Sequence, residues 1–364
     1  MADPTAALLW AACRAALDAT DVRAAVEAHA DLDAAANLAV AQRVSPLLWR
    51  ALQVAEVADA DASWSATLKR DSARCHAQSR LVLPRIGPLA FAPLARAGLE
   101  PLVIKGAALA GRYPDPGLRP MDDIDVVLPE PQIEPAVAAL SGSGWTLHET
   151  PARQRHEVQL THPELPGLHL DLHRRMGTWR NRSNRLTTDY LWSSRRATTL
   201  YDARAYVLPV DLEVVMLAAH AGKPWHAFDR LIWVADLAVV TANDPPDWDH
   251  VARLATAARA QTAVAVALSQ AMHLGVDSPE RLRRIASPWR AHALAPLLSH
   301  DWPVLNHDRD SRASMRYALV DARRTRLQLV MSEILGTTLW AVPRRAYWLA
   351  RRSTRQYAER ERVS

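Results

Sequence analysis

The sequence predicts an α+β protein, a small mixed sheet with flanking helices set between helical N- and C-terminal regions. Three observations predict it. Residues 5 to about 98 repeat Ala, Leu, Val and Trp at three- and four-residue steps, with no glycine before Gly87. Residues 100–175 are the one strand-rich block, made of short apolar runs ended by glycines and turn residues. From Pro209 onward the helical periodicity returns.

In order along the chain, Leu8, Leu9, Ala12, Ala15 and Ala16, then Leu47, Leu48, Ala51 and Leu52, mark apolar helix faces. Three or four helices are expected up to residue 98, the last running from about Asp61 into the eighties. PLVIKG is a short strand ended by glycine, GAALAGRY has helical character, and MDDIDVVLPE is a second strand. PQIEPAVAALSGSG reads as a helix closed by glycines. WTLHE, HEVQLTH and LHLDLHRRM complete a sheet of four or five strands. Beyond Pro209 a helical pair joins near Lys223-Pro224, Asp247 caps the next helix, and further helices fill 260–300. Residues 301–312 read as a polar loop. The expected divisions are 1–98, helical; 99–205, the α/β unit; 206–300, a helical unit closing a cleft over it; and 301–364, an extension ending in an arginine-rich tail.

Composition narrows the function classes. Apolar residues make up 49% and charged residues 23%, an ordinary globular balance. The net charge of +5 is concentrated: residues 343–364 carry seven arginines and two glutamates, and the rest sums to zero. No basic body exists of the kind that binds long nucleic acid through its phosphates. The tail, with Tyr347, Trp348, Leu349 and Tyr357 among its arginines, fits either a final helix packed on the body or an anionic interface. Cys13 and Cys75 alone make neither a zinc site nor a disulfide framework. No leader or membrane-spanning segment is read, and the expected location is the cytoplasm. Of the 44 basic residues only Lys69, Lys105 and Lys223 are lysines.

The chemistry is densest in VIKGAALAGRYPDPGLRPMDDIDVVL. Asp123 and Asp125 lie two apart in a strand, so both side chains share one face while Ile124 and Val126 point into a core. Adjacent like charges repel, and a cation makes the arrangement stable. Hard carboxylate oxygens of this kind suit Mg²⁺, which completes its shell with water and substrate phosphates. Lys105-Gly106 ends the preceding strand and opens a helix. There glycine permits close approach of a phosphate, backbone N–H groups point outward, and the lysine adds a compact charge.

A strand, a glycine turn, a short helix and an Asp-x-Asp strand in that order resemble the polymerase-β-like nucleotidyltransferase superfamily. The segment resembles, more closely, a bacterial family labelled uncharacterised nucleotidyltransferase, on Lys105, Gly106, Tyr113, Arg119, Asp123 and Asp125. The superfamily turn is normally Gly-Ser or Gly-Gly, whereas this chain has Gly106-Ala107, leaving the phosphate grip to backbone N–H groups and Lys105. The resemblance implies a third carboxylate on a later strand. In LHLDLHRRM, His169, Asp171 and His173 share a face, which makes Asp171 the expected partner of Asp123 and Asp125 in holding two Mg²⁺ ions (or Mn²⁺) and in orienting or deprotonating an acceptor hydroxyl. A zinc site of His169, Asp171 and His173 is the weaker reading.

Arg119, in the loop before the strand, suits phosphate or acceptor binding through its planar fork; Arg112 reads as a helix-surface residue. In the helical region His220, Lys223, Trp225, His226, Arg230 and Asp236 form a second cluster. The resemblance implies that it faces the catalytic unit, with Lys223 on the β- and γ-phosphates. His173, His220, His226, Arg230 and Asp236 fit acceptor or cleft roles, or, for His220, a satisfied histidine at a helix end and, for Arg230 and Asp236, a salt bridge between helix faces. The implied activity is Mg²⁺-dependent transfer of a nucleoside monophosphate from an NTP to a hydroxyl of a small molecule, peptide or protein. Family members are associated with bacterial peptide natural-product pathways. The alternative is a nucleotide-binding, non-catalytic or toxin/antitoxin-type partner on the same fold.

Overall fold

The computed structural model describes residues 3–18, 22–27, 31–57, 62–148, 157–174, 176, 185–224, 226–305, 311–322, 325–327 and 329–330. The arginine-rich tail and Trp225 lie outside the described residues.

The N-terminal region is helical at Pro4–Asp18, Arg23–Glu27, Leu32–Ala41 and Ser45–Val54, and with the helical run from Ser63 this is one more than the three or four expected. Leu47, Leu48, Ala51 and Leu52 bury the face that their spacing predicts. Ser63–Ala77 then continues without a break to Arg96 through widened turns at Gln78–Val82 and Gly87–Phe91. Pro84, Pro88 and Pro93 lie along this path. Each lacks an N–H and crowds the carbonyl four residues back, and wide or tight turns absorb that conflict while the axis continues.

Among the described residues seven strands form one sheet, two more than the largest number the sequence reading allows. They are β1 Leu102–Ile104, β2 Asp123–Val127, β3 Thr146–Leu147, β4 Glu157–Thr161, β5 His169–His173, β6 Arg196–Leu200 and β7 Ala203–Val207, in the spatial order β3-β4-β5-β2-β1-β7-β6. β2–β5 and β1–β7 are parallel and the other pairs antiparallel.

The sheet separates two apolar clusters. Val103, Ile124, Val126, Leu170 and Leu172 pack with the Ile133–Ser141 helix and the 83–94 segment. Leu102, Ile104, Val127 and Tyr206 face the other way, into a larger cluster shared by the N-terminal helices and by the Val210–Ala221 and Ile232–Asn243 helices. Period-two alternation therefore turns Asp123, Asp125, His169, Asp171 and His173 toward the helical body.

β6 and β7 are joined by Tyr201 and Asp202, both with positive φ, 51° and 59°. This two-residue turn usually carries Asn-Gly. Here tertiary contacts hold it: the Tyr201 hydroxyl donates to the Ala107 carbonyl at 2.7 Å, and a Cβ on Gly87 would lie 1.8 Å from the Tyr201 carbonyl oxygen. Gly87→Ala therefore forces backbone against backbone. It is expected to destabilise the protein by about 3 kcal/mol or more, read as a lower urea midpoint at unchanged slope.

After Asn243, helices follow at Trp248–Ala258, Gln261–Ala271 and Pro288–Leu298, with Asp247 capping the first through the Asp249 and His250 N–H groups. Part of the stretch expected as a loop is helical: Trp302–Leu305 makes one turn and Ser311 opens another helix, Ser311–Ala318. Trp302 is buried and its indole donates to the Phe228 carbonyl at 2.8 Å, which anchors that turn. Among the described residues, no helix is long and apolar enough to cross a membrane.

Candidate active site

β2 and β5 run parallel with Asp123 opposite His169 and Asp125 opposite Asp171. The register thus gathers the three carboxylates expected from sequence on one face of two neighbouring strands.

Each carboxylate has a different environment. Asp125 is buried, and its Oδ1 receives Lys105 Nζ at 2.6 Å and lies 2.5 Å from His173 Nε2. Burial alone would raise its pKa, but Lys105 and the His173 hydrogen bond outweigh it and hold the carboxyl well below the usual range. Asp123 is pushed upward, first by the neighbouring Asp125 charge and then by burial. Asp171 is raised to about 6 by burial and by Glu157; its Oδ1 accepts from Gln159 Nε2 at 3.2 Å and its Oδ2 lies 3.7 Å from His169 Nε2. Glu157 in turn lies 3.4 Å from His173 Nδ1. Asp123, His169 and Asp171 each offer one ligand atom, all within 4.8 Å of one another, and this donor set fits a single divalent cation. His169 is a candidate site residue that sequence reasoning placed only in the weaker zinc reading. Its signal was its place on the Asp171 face, two residues away.

Lys105 follows β1 with φ 56° and ψ −137°, a conformation that a non-glycine residue adopts at a cost of about 1–3 kcal/mol. The turn directs its ammonium onto Asp125. Gly106 opens the single helical turn Gly106–Leu109, and a Cβ there would stand 2.9 Å from Met121 Cγ, so the glycine lets the loop before β2 close over it. Ala107 is buried, and its carbonyl is the acceptor for Tyr201.

Arg119, expected on phosphate, is directed elsewhere. Its Nε and Nη2 donate to Asp236 Oδ1 and Oδ2 at 2.7 and 2.8 Å, Nη1 donates to the Pro120 carbonyl, and the Tyr113 hydroxyl adds 2.8 Å to the same Asp236. The guanidinium fork is thus committed to a buried bidentate pair that ties the loop before β2 to the Ile232–Asn243 helix. The salt bridge considered between Arg230 and Asp236 is replaced by this one. Arg230 is exposed, 5.5 Å over the Trp233 ring. Arg112 is likewise no simple surface residue: its Nη1 lies 2.9 Å from the buried Glu213.

His220, at the end of the Val210–Ala221 helix, packs into the second cluster. His220 and His226 stack 4.8 Å apart, and Trp233 sits edge-on to both, at 5.3 and 4.8 Å. Burial depresses both imidazoles, His226 to about 3, and the charges of Lys223 and Lys105 add to the effect. Lys223 itself is lowered to about 8, by burial first and then by repulsion from Lys105, against the pull of Asp125 and Glu157. At neutral pH the imidazoles are therefore uncharged.

Residues 28–275 match the model of a family described as an uncharacterised nucleotidyltransferase. No curated protein and no solved structure matches the chain.

Proposed function

The chain belongs to the uncharacterised nucleotidyltransferase family, and from that premise we propose that it moves a nucleoside monophosphate from an Mg²⁺-bound NTP to a hydroxyl of a small molecule, peptide or protein. The observation that carries this reading is the convergence, on one sheet face, of Asp123, Asp125 and Asp171, with the Lys105 ammonium 2.6 Å from Asp125. Two carboxylates and an imidazole would hold a divalent ion, which supplies charge neutralisation along the triphosphate.

The chain's own residues do the rest. Lys105 and Lys223 bind phosphate oxygens as point charges. The Arg119–Asp236 pair holds the Asp-x-Asp loop in place, so that the donor is met by a preorganised site. The acceptor oxygen bonds to the α-phosphorus, the bond to the pyrophosphate oxygen breaks, and Asp171 takes the hydroxyl proton. The near-zero charge of the chain before its tail disfavours a polynucleotide acceptor.

The test is pyrophosphate release and NTP binding with Mg²⁺ across acceptor classes, for wild type and for Asp123→Ala/Asp125→Ala. The reading requires release by wild type alone. Identical NTP binding by both proteins would overturn the assignment of these carboxylates, and binding by wild type without release would favour a non-catalytic nucleotide-binding protein.

Lys223 gives the reading a pH dependence. Its ammonium deprotonates as pH rises through about 8, so kcat/KM for the NTP is expected to fall between pH 7 and 9.5. Lys223→Arg, charged throughout this range, should abolish that limb.

A further inference from the structure

The proposed nucleotidyl transfer, on which this inference rests, calls for a divalent cation, and the residues present bear on which one. We infer that His169 is a metal ligand and that the Asp123–His169–Asp171 site takes Mn²⁺ in preference to Mg²⁺.

Two features of the site lead there. The second carboxylate of the Asp-x-Asp pair is not among the grouped donors. Asp125 Oδ1 is engaged by Lys105 Nζ at 2.6 Å and by His173 Nε2 at 2.5 Å, on a side chain only 3% exposed. The parallel register of β2 and β5 offers a replacement. It sets His169 directly opposite Asp123, with Asp171 two residues further along the same strand face. The His169 ring is 31% exposed, with Nε2 3.7 Å from Asp171 Oδ2. The three donor atoms lie within 4.8 Å of one another, close enough for small side-chain rotations to bring them onto one ion.

The donor chemistry then discriminates. Mg²⁺ is hard, holds its water tightly and is bound through oxygen. An imidazole in the ligand set replaces one of those oxygens with a softer nitrogen, which Mn²⁺ accepts more readily while still taking carboxylates. Three protein donors leave positions open for triphosphate oxygens.

The experiment needs no nucleotide. Mn²⁺ is titrated into the full-length protein and followed by loss of the free-ion EPR signal, then displaced with Mg²⁺. The expected result is at least tenfold tighter binding of Mn²⁺. Pulsed EPR of the Mn²⁺-loaded wild type should show nitrogen modulation from a coordinated imidazole. That modulation should persist in His173→Gln and vanish in His169→Gln, with Mn²⁺ affinity in the latter falling about 10- to 100-fold. Absence of nitrogen modulation in wild type, equal affinities for the two ions, or unchanged Mn²⁺ affinity in His169→Gln would overturn the inference. The wild-type spectrum decides it even if a variant folds poorly. Mn²⁺ bound through His169 without nucleotidyl transfer would overturn the proposed activity and leave the metal assignment standing. Transfer by a protein lacking nitrogen modulation would do the reverse.

Discussion

Lys105→Ala is expected to lower the transfer rate by about 10²- to 10³-fold, measured as pyrophosphate release at saturating NTP. The size follows from how the residue is held. Its backbone is in a conformation unfavourable for any side chain, and its ammonium is brought 2.6 Å from Asp125 in a slot where it is 14% exposed. Removing it leaves the buried Asp125 with His173 alone and takes away one of the two compact cations facing the triphosphate position. Lys105→Arg preserves charge but not shape. A guanidinium is larger and planar, and its donors are fixed in a fork, so at least a tenfold loss is expected there too. Full activity in Lys105→Arg and Lys223→Arg would reduce the scarcity of lysine in this chain to a compositional accident.

The second large effect is on stability. Arg119→Ala or Asp236→Ala is expected to cost about 3–5 kcal/mol in chemical denaturation, because each leaves its partner charged, buried and unpaired. Asp236 is 1% exposed and receives three donors from Arg119 and Tyr113. Its truncation therefore orphans two side chains at once. The double variant should lose less than the sum of the single losses, with a coupling of about 1–3 kcal/mol. Arg119→Lys keeps the charge and forfeits the bidentate geometry, so it should fall between wild type and Arg119→Ala. A purely additive double variant would show that the pair does not act as a unit.

The fold was legible where one segment carries its own pattern. Strands β1 to β5 announce themselves through short apolar or alternating runs and flanking turns, and the shared face of Asp123 and Asp125 follows from the strand period alone. β6 and β7 were missed because RATTL sits half exposed at a sheet edge and its turn is Tyr201-Asp202, held by Gly87 and Ala107 instead of by Asn-Gly chemistry. The roles of Arg119 and Asp236 were illegible for a different reason. Their pairing spans 117 positions, and no local spacing encodes it. Arg119 read as a phosphate ligand because its neighbours are site residues, yet the helix that packs on its loop presents a buried carboxylate. His169 was legible as a neighbour of Asp171 on one strand face, but its place opposite Asp123 comes only from the β2–β5 register.

The central claim is that the α-phosphorus of a nucleotide is attacked at this site, and the fate of two isotopic labels tests it most directly. Parallel reactions with α-³²P- and γ-³²P-labelled NTP, run with the same acceptors, distinguish transfer of a nucleoside monophosphate from transfer of a phosphoryl group. The α-label should enter the acceptor and the γ-label should leave as pyrophosphate, with both events lost in Asp123→Ala. Appearance of the γ-label in the acceptor, or equal α-labelling by wild type and Asp123→Ala, would contradict the account.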